Sequence, residues 1–515
     1  MKRVHIEFQR VQTWLFAVPR LRAMVGANAL LGEVLRVRLP DLARQPQQGS
    51  WQLAPVAGNY PSAAPDDPLA SEDDPATDAR NGILARDGGH FEAVFASGAE
   101  NFVKAAISLL RQELPGLGFR ISIDDDDDHE VIEQTGSVVS TELPVLAPCE
   151  WTGRGLASVP IWQGTERATV SLEVSRRHKA ALRAEKGQAK DLVSLLVGQT
   201  RLGAMKRART FEGLAGDRYL ALIYADGNGV GKAAGSKEME RARFFHRNRV
   251  LVRRAVKAAI DAACDGSSAA PLLPLMLGGD DLLVVCRADT ALPFVAELCR
   301  ALSDIQHNGP QAFELTFGVG IAIADPKIPI HRLHELAERL AASAKRRYRG
   351  FRNSEGRSVV DWAVYTTSWV DDPEEVRRRD WLRGSGEDRR VLSQRPLNVL
   401  GEGLDSLEGL LKGVHKLEGA PRSQLRYLVD QLPRGRMLSD LAFAELSEQA
   451  RSALTDAGIG DSLWRKSEQR GPWMTALLDL VEVYEIPRLG RRRASRIAPG
   501  VVEDQNEQES AHAEA

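Results

Sequence analysis

The stretch that most limits what this chain can fold into runs from residue 220 to residue 286. LALIYADGNGVGK places Asp226 directly behind an apolar run that reads as a buried strand, and the glycines after it keep the backbone open. Further on, PLMLGGDDLLVVC gives an apolar run, then Gly278, Gly279, Asp280 and Asp281, then a second apolar run. That pattern predicts a β-hairpin with carboxylates at its tip. An ordinary hairpin accounts for the tip, since Gly and Asp are common turn residues. It does not account for Asp226 on a strand of its own, or for two aspartates set between wholly apolar runs, where their charge demands compensation. Three carboxylates at strand ends beside glycine suit divalent metals and a nucleoside triphosphate. Mg²⁺ commonly takes one or two protein carboxylates and fills its shell from phosphate and water. Two such ions roughly 3.5–4 Å apart can activate a hydroxyl and stabilise a leaving pyrophosphate.

The 515 residues allow roughly two to four domains, each with a core of its own. Sixty-eight basic side chains balance 70 acidic ones for a net charge of -2, so any nucleic-acid contact must come from local patches. Cysteines at 149, 264, 286 and 299 form no CxxC pair, which fits a reducing, cytoplasmic setting. Glu7, Gln9 and Arg10 interrupt any signal-peptide core. No apolar run approaches the ~20 residues that a membrane helix needs, and no membrane association is expected.

Residues 1–147 read as a first α/β unit: strand RVHIEF, helix 11–38, strand FEAVFA, helix 100–114, strand FRISI. Residues 211–370 repeat the order, with Asp226 on the first strand, helix 236–263, the Gly-Gly-Asp-Asp hairpin, helix 291–305, strand FELTFGVGIAIA, helix 331–348 and strand SVVDWAVY. The fold class is α+β, with two ferredoxin-like βαββαβ units, and the duplication itself is evidence. A Pro, Ala and Asp-rich stretch at 56–82 reads as a mobile loop. The acidic run Asp124 to Asp128 reads as a solvated loop. Residues 148–210 form a turn and a basic helical connector, 371–496 a helical C-terminal domain, and 497–515 a disordered tail.

The hairpin and its partner strand resemble the cyclase Palm domain of the large subunit of type III CRISPR effector complexes, a relative of the GGDEF diguanylate cyclases. Gly278, Gly279, Asp280 and Asp281 match that family's hairpin. Its first-strand motif has two acidic positions one residue apart; Asp226 fills the first, and the neutral Asn228 stands at the second. The resemblance implies that Asp226, Asp280 and Asp281, with the carbonyl of Gly227, hold two Mg²⁺ or Mn²⁺ ions. It implies further that Gly227, Asn228, Gly229, Gly278, Gly279 and Lys345 border the nucleotide. Ala344 and Lys345 match the family's Ala-Lys near the triphosphate, whereas Arg346, Arg347, Arg349 and Arg352 also fit the preference of helix C-termini for cations.

RVQTWLFAVPRLRAMVGANALL is similar to the opening of the family's first Palm, although Arg20 and Arg22 read equally well as the wet face of an amphipathic helix. At the hairpin position this unit has Gly88, Gly89 and His90, and on its first strand His5 and Glu7. It is therefore expected to be catalytically silent while supplying part of a nucleotide pocket. PCEWTGRGLAS resembles the family's zinc knuckle, but only Cys149 remains and Thr152 holds the second position, so no zinc is expected. RPLNVLGEGLDSLEGLLKGVHKLEGAPRSQLRYLVDQL resembles the helical C-terminal domain that docks other subunits. Since the chain opens at the Palm strand, the family's HD nuclease domain is not expected.

The implied function is synthesis of cyclic oligoadenylates from ATP, triggered by target RNA in a complex with guide RNA and other effector subunits. Two alternatives remain: a GGDEF-like cyclase acting on GTP, and a non-enzymatic scaffold of an RNA-guided complex.

Overall fold

The computed structural model describes residues 1–45, 50–124, 129–134, 146–163, 166–235, 237–307, 313–350, 357–366, 372–460, 462–466 and 471–490. The acidic run at 125–128, Arg352 and the tail 497–515 lie outside them. The architecture is mixed α+β with several sheets.

In the first unit, β1 (Lys2–Gln9) lies between β4 (His90–Ser97) and β5 (Gly118–Asp124), antiparallel to both. The short β2 (Gln52–Leu53) and β3 (Ile83–Ala85) pair with β4, and β6 (His129–Gln134) extends the other edge. Alternation in β1 sends Val4, Ile6 and Phe8 into the core and leaves His5 and Glu7 on the more open face.

The connector holds a hairpin of β7 (Val159–Gln163) and β8 (Glu166–Val170), then helices Leu172–Glu185 and Leu192–Gly198, capped by Ser171 and Asp191. The first of these helices packs on the Leu21–Glu33 helix at Gly26, where a Cβ would stand 1.8 Å from the carbonyl oxygen of Arg177. Arg22 is buried there against Glu185 at 3.0 Å, and Arg20 stacks its guanidinium 4.2 Å from the Trp151 ring. Arg22 is thus not on a wet face. Cys149 is buried.

The second sheet runs in the order β10 (Leu272–Leu277), β11 (Asp281–Arg287), β9 (Leu220–Gly227), β12 (Phe317–Ala324), β13 (Val359–Tyr365), with Leu397–Asn398 at the far edge. Its first four strands are antiparallel; β12 and β13 are parallel, joined by the helix Ile330–Gly350. Both faces of this sheet are covered, which is why β9 reads as continuous rather than alternating hydrophobicity. Ala221, Ile223 and Ala225 pack with the helices Glu238–Ala263 and Ala288–His307, while Leu220, Leu222, Leu283 and Val285 share a core with Phe8, Trp14 and Phe16 of the first unit. Each large side chain buried there contributes roughly 1.5–3 kcal/mol. The two units are therefore held face to face by apolar packing.

Two expectations are corrected. The 56–82 stretch is not a free loop. It contains the helix Pro75–Arg80, and its acidic residues lie along the Glu238–Ala263 helix. Asp67 and Asp73 are buried against Arg253 at 2.8 and 2.7 Å, Asp66 pairs with Arg254, and the Tyr60 hydroxyl donates to Glu238 at 2.9 Å. Low hydrophobicity here marks ionic anchoring.

The C-terminal part is also not purely helical. Four two-residue strands (382–383, 390–391, 465–466, 473–474) form a small sheet, and helices Leu407–Lys416, Arg422–Gln431 and Leu477–Glu485 share one core with Val360 and Trp362 of the second sheet. Strands this short carry no periodicity that a sequence can show. Among the described residues, no helix is long and apolar enough to cross a membrane.

Candidate active site

Asp226 is the penultimate residue of β9, and the antiparallel register sets it directly opposite Asp281, the first residue of β11. The hairpin tip is pinned by its own backbone: the Gly278 amide donates to the Asp281 carbonyl at 2.7 Å and the Gly227 amide to the Asp280 carbonyl at 3.1 Å. Gly227 is obligatory for this approach, because a Cβ would lie 2.8 Å from that of Asp280 and 2.7 Å from Val230 Cγ2. Gly229 turns the chain at a φ of 70° into the short helix Val230–Ala233.

Lys345 arrives from the Ile330–Gly350 helix. Its Nζ pairs with the Asp226 carboxylate and donates to the Gly227 carbonyl at 3.1 Å. Gly318 of β12, the register partner of Asp226, makes room for it, since a Cβ there would stand 2.5 Å from Lys345 Cγ. Asn228 is buried, its amide nitrogen donating to Thr316 Oγ1 at 3.0 Å and its backbone N–H to the Thr316 carbonyl at 2.8 Å. Asp226, Gly227, Asn228, Asp280, Asp281 and Lys345 thus lie at one end of the second sheet, with the Asn228 side chain tied to Thr316.

The electrostatics are those of crowded negative charge. Burial pushes the Asp281 carboxyl up, and Asp226 and Asp280 push it further, while Lys345 pulls it back. Asp280 is raised for the same reasons, burial first and Asp226 second. The carboxyls of Asp281 and Asp226 are within hydrogen-bonding contact, an arrangement that a shared proton or a cation relieves. Hard oxygen donors with unbalanced charge fit a divalent metal. Among the described residues, no group of three or more His, Cys, Asp or Glu side chains closes into a ready-made metal cage. The donor set fits an ion whose shell is completed by phosphate and water.

A cavity of about 510 Å³ opens between the hairpin and the first unit, lined by Gly278 to Asp281 on one side and by Gln12, Asn28, Arg36 and Asp87 to His90 on the other. A cavity of about 570 Å³ lies in the C-terminal part, but it contains none of the opposed carboxylates. The first unit's own hairpin therefore faces the Gly-Gly-Asp-Asp tip across shared space. His90 Nδ1 there lies 3.2 Å from His5 Nε2, their rings stacked.

The sequence reading missed Gly318, Thr316 and Arg249, whose stem passes Gly279. Two glycines inside the strand FGVGIAIA were the available signal for the first, since glycine in a strand often marks a close approach.

The four antiparallel strands β10-β11-β9-β12 bring the carboxylates together at the β9 and hairpin ends. Residues 219–354, about a quarter of the chain, match the family described as Cas10/Cmr2, second palm domain. This segment is similar to a second palm domain of that family. Among solved structures, a Csm1-Csm4 cassette in complex with AMPPNP is 14% identical over 67% of this chain and 53% of its own, with a TM-score of 0.38. The cassette in complex with pppApApA is 14% identical over 94% and 69%, TM-score 0.48. Csm1 of T. onnurineus is 13% identical over 96% and 68%, TM-score 0.46. The chain thus spans from about half to about two thirds of those proteins. No curated protein sequence matches it.

Proposed function

We propose that the protein is a metal-dependent nucleotidyltransferase that makes cyclic oligoadenylates from ATP, working as the large subunit of a type III RNA-guided complex. The observation that carries this reading is the opposed pair Asp226 and Asp281, with Lys345 on Asp226 and with Asp280 and Asp281 lining a cavity, in a segment similar to a second palm domain. Both units are read as ferredoxin-like palms, with residues 1–147 as the silent partner, 148–210 as connector, 211–370 as the catalytic palm and 371–496 as the C-terminal domain.

In the reaction a ribose 3′-oxygen attacks the α-phosphorus of a second ATP, forming a 3′-5′ phosphodiester and releasing pyrophosphate. Asp226, Asp280, Asp281 and the Gly227 carbonyl would hold divalent ions, which would supply a lowered pKa at the attacking hydroxyl and charge neutralisation at the triphosphate. Lys345, fixed on Asp226 and the Gly227 carbonyl, places a positive charge where phosphate oxygens arrive. Gly278 and Gly279 keep the tip free of side chains, so a phosphate can approach the backbone. The first unit closes the cavity from the other side and holds no carboxylate pair at its hairpin.

The test is incubation of purified protein with Mg²⁺ or Mn²⁺ and each nucleoside triphosphate, with and without guide-RNA complexes and target RNA, read by mass spectrometry. Cyclic adenylates are expected from the wild type and none from Asp281→Ala. Cyclic di-GMP would replace this reading with a GTP cyclase, and no product under any condition would replace it with a scaffold.

A further inference from the structure

The Asp-rich strap, residues 56–82, passes between arginines beside the two glycine hairpins at Glu72 and Asp73. Asp73, 5% exposed, accepts from Arg253 Nη1 at 2.7 Å and from Arg249 Nε and Nη2, each at 3.3 Å, with His246 Nδ1 at 3.7 Å. The Arg249 stem runs past the catalytic hairpin, its Cγ 4.0 Å from where a Cβ on Gly279 would stand. One residue back, the Glu72 carbonyl accepts from Arg36 Nη2 at 2.8 Å and Arg86 Nη2 at 2.9 Å. Arg36 in turn grips both oxygens of Asp87 at 2.8 Å, next to Gly88. The strap is therefore linked to both walls of the cavity, through Arg36 on one side and through Arg249, beside Gly279, on the other.

The two arginines on Asp73 are not equivalent. Arg253 is buried, makes the shorter bond and has Asp67 as a second partner at 2.8 Å. Arg249 is 23% exposed at its side chain, and its contacts are longer. Lys345 is already engaged by Asp226 and Gly227. A triphosphate brings further negative charge to a tip that holds three aspartates, and a guanidinium that binds a carboxylate in two-pronged fashion can bind phosphate in the same way.

We propose that Arg249 contacts the triphosphate and that Asp73 holds it in reserve: the guanidinium leaves Asp73 for phosphate oxygens when a nucleotide enters, while Arg253, shared with Asp67, stays on Asp73. The inference rests on the reading that this site handles nucleoside triphosphates. The exchange swaps one ion pair for another and breaks no covalent bond.

Titration calorimetry on the full chain, with Mg²⁺ and either α,β-methylene ATP or AMP, tests it. Arg249→Ala weakens the triphosphate analogue about tenfold, the worth of one charge-assisted contact, and leaves AMP binding unchanged. Asp73→Asn, which keeps an acceptor for Arg253, tightens the analogue several-fold, and the double variant behaves as Arg249→Ala. Should Arg249→Ala fail to fold, Arg249→Gln carries the same comparison. Unchanged analogue binding by the Arg249 variant, or equal loss of AMP and analogue, overturns the proposal while the nucleotide reading stands. A wild type that binds neither nucleotide overturns both.

Discussion

Asp226 and Asp281 are register partners across an antiparallel ladder, their carboxyls in contact at the end of two buried strands. Without a cation this pair is a source of instability, because two like charges are held together at a partly buried site. In chelator at neutral pH, Asp281→Asn is expected to melt above the wild type. Adding Mg²⁺ or Mn²⁺ should raise the wild-type melting temperature by mass action and move the variant much less. A variant that melts below the wild type in chelator would remove the idea that these carboxylates repel.

Gly318 offers a way to move Lys345 without mutating it. Gly318→Ala places a methyl 2.5 Å from Lys345 Cγ and 3.3 Å from Asn228 Oδ1, so the lysine stem must shift. Nucleotide affinity is expected to fall about tenfold, with a stability loss on the order of 1 kcal/mol, less than a direct clash with backbone costs. Gly320→Ala, two residues on, is the contrast: its methyl would lie 2.0 Å from the Ala337 carbonyl oxygen, so the helix itself must move and stability should drop. Equal melting temperatures for the two variants would contradict this account.

How much of this was legible in the sequence depended on whether a residue's role was local. The β9 run, the Gly-Gly-Asp-Asp hairpin and the lysine at the end of an amphipathic helix each carry their signal in neighbouring residues, and the structure brings them together. The strap shows the opposite case. Its aspartates read as loop composition, yet Asp67 and Asp73 lie against Arg253 across a sequence separation of 186 and 180 residues. Neither half of such a pair signals the other. The C-terminal sheet was invisible for a different reason, since its two-residue strands are too short to alternate.

His334 sits at the contact between the units, its ring 4.4 Å from that of Phe16 and 6.1 Å from that of Tyr224, with Glu338 at 3.5 Å. Burial lowers its pKa from 6.5 to about 4. The folded state therefore binds fewer protons than the unfolded one, and the stability from neutral His334 is present above pH 6.5 and lost as pH falls towards 4. The loss is on the order of 2–3 kcal/mol, less whatever Glu338 returns to the charged ring. Chemical denaturation across that window should show His334→Phe to be less acid-sensitive than the wild type. Parallel pH profiles for the two would refute the assignment.

Arg395 is buried between Trp362 and Trp381, 4.6 and 4.4 Å from their rings, and pairs with the fully buried Asp479 at 2.9 Å and with Glu482 at 2.6 Å. It joins the second palm to the C-terminal helices. Arg395→Ala strands Asp479 and should cost about 3–5 kcal/mol. Adding Asp479→Asn should return part of that loss, which a double-mutant cycle by urea denaturation measures. Additive costs would mean that the pair does not act as a unit.

Asn228 is the one departure from the acidic pattern of the first strand, and its environment says what restoring the charge would do. Its amide nitrogen donates to Thr316 Oγ1, and a carboxylate could instead accept from that hydroxyl, so Asn228→Asp fits without steric change. The new charge joins the Asp226, Asp280 and Asp281 cluster, where burial already raises Asp280 and Asp281. The metal-free protein should therefore melt lower than the wild type. Divalent ions should bind more tightly, because each added carboxylate ligand strengthens attraction for a hard cation. The concentration of Mn²⁺ that gives half-maximal thermal shift should fall, and the two effects should cancel at saturating metal. If the variant needs more Mn²⁺ than the wild type, Asn228 does not border the ions, and the metals lie nearer the hairpin side of Asp281 than the β9 side.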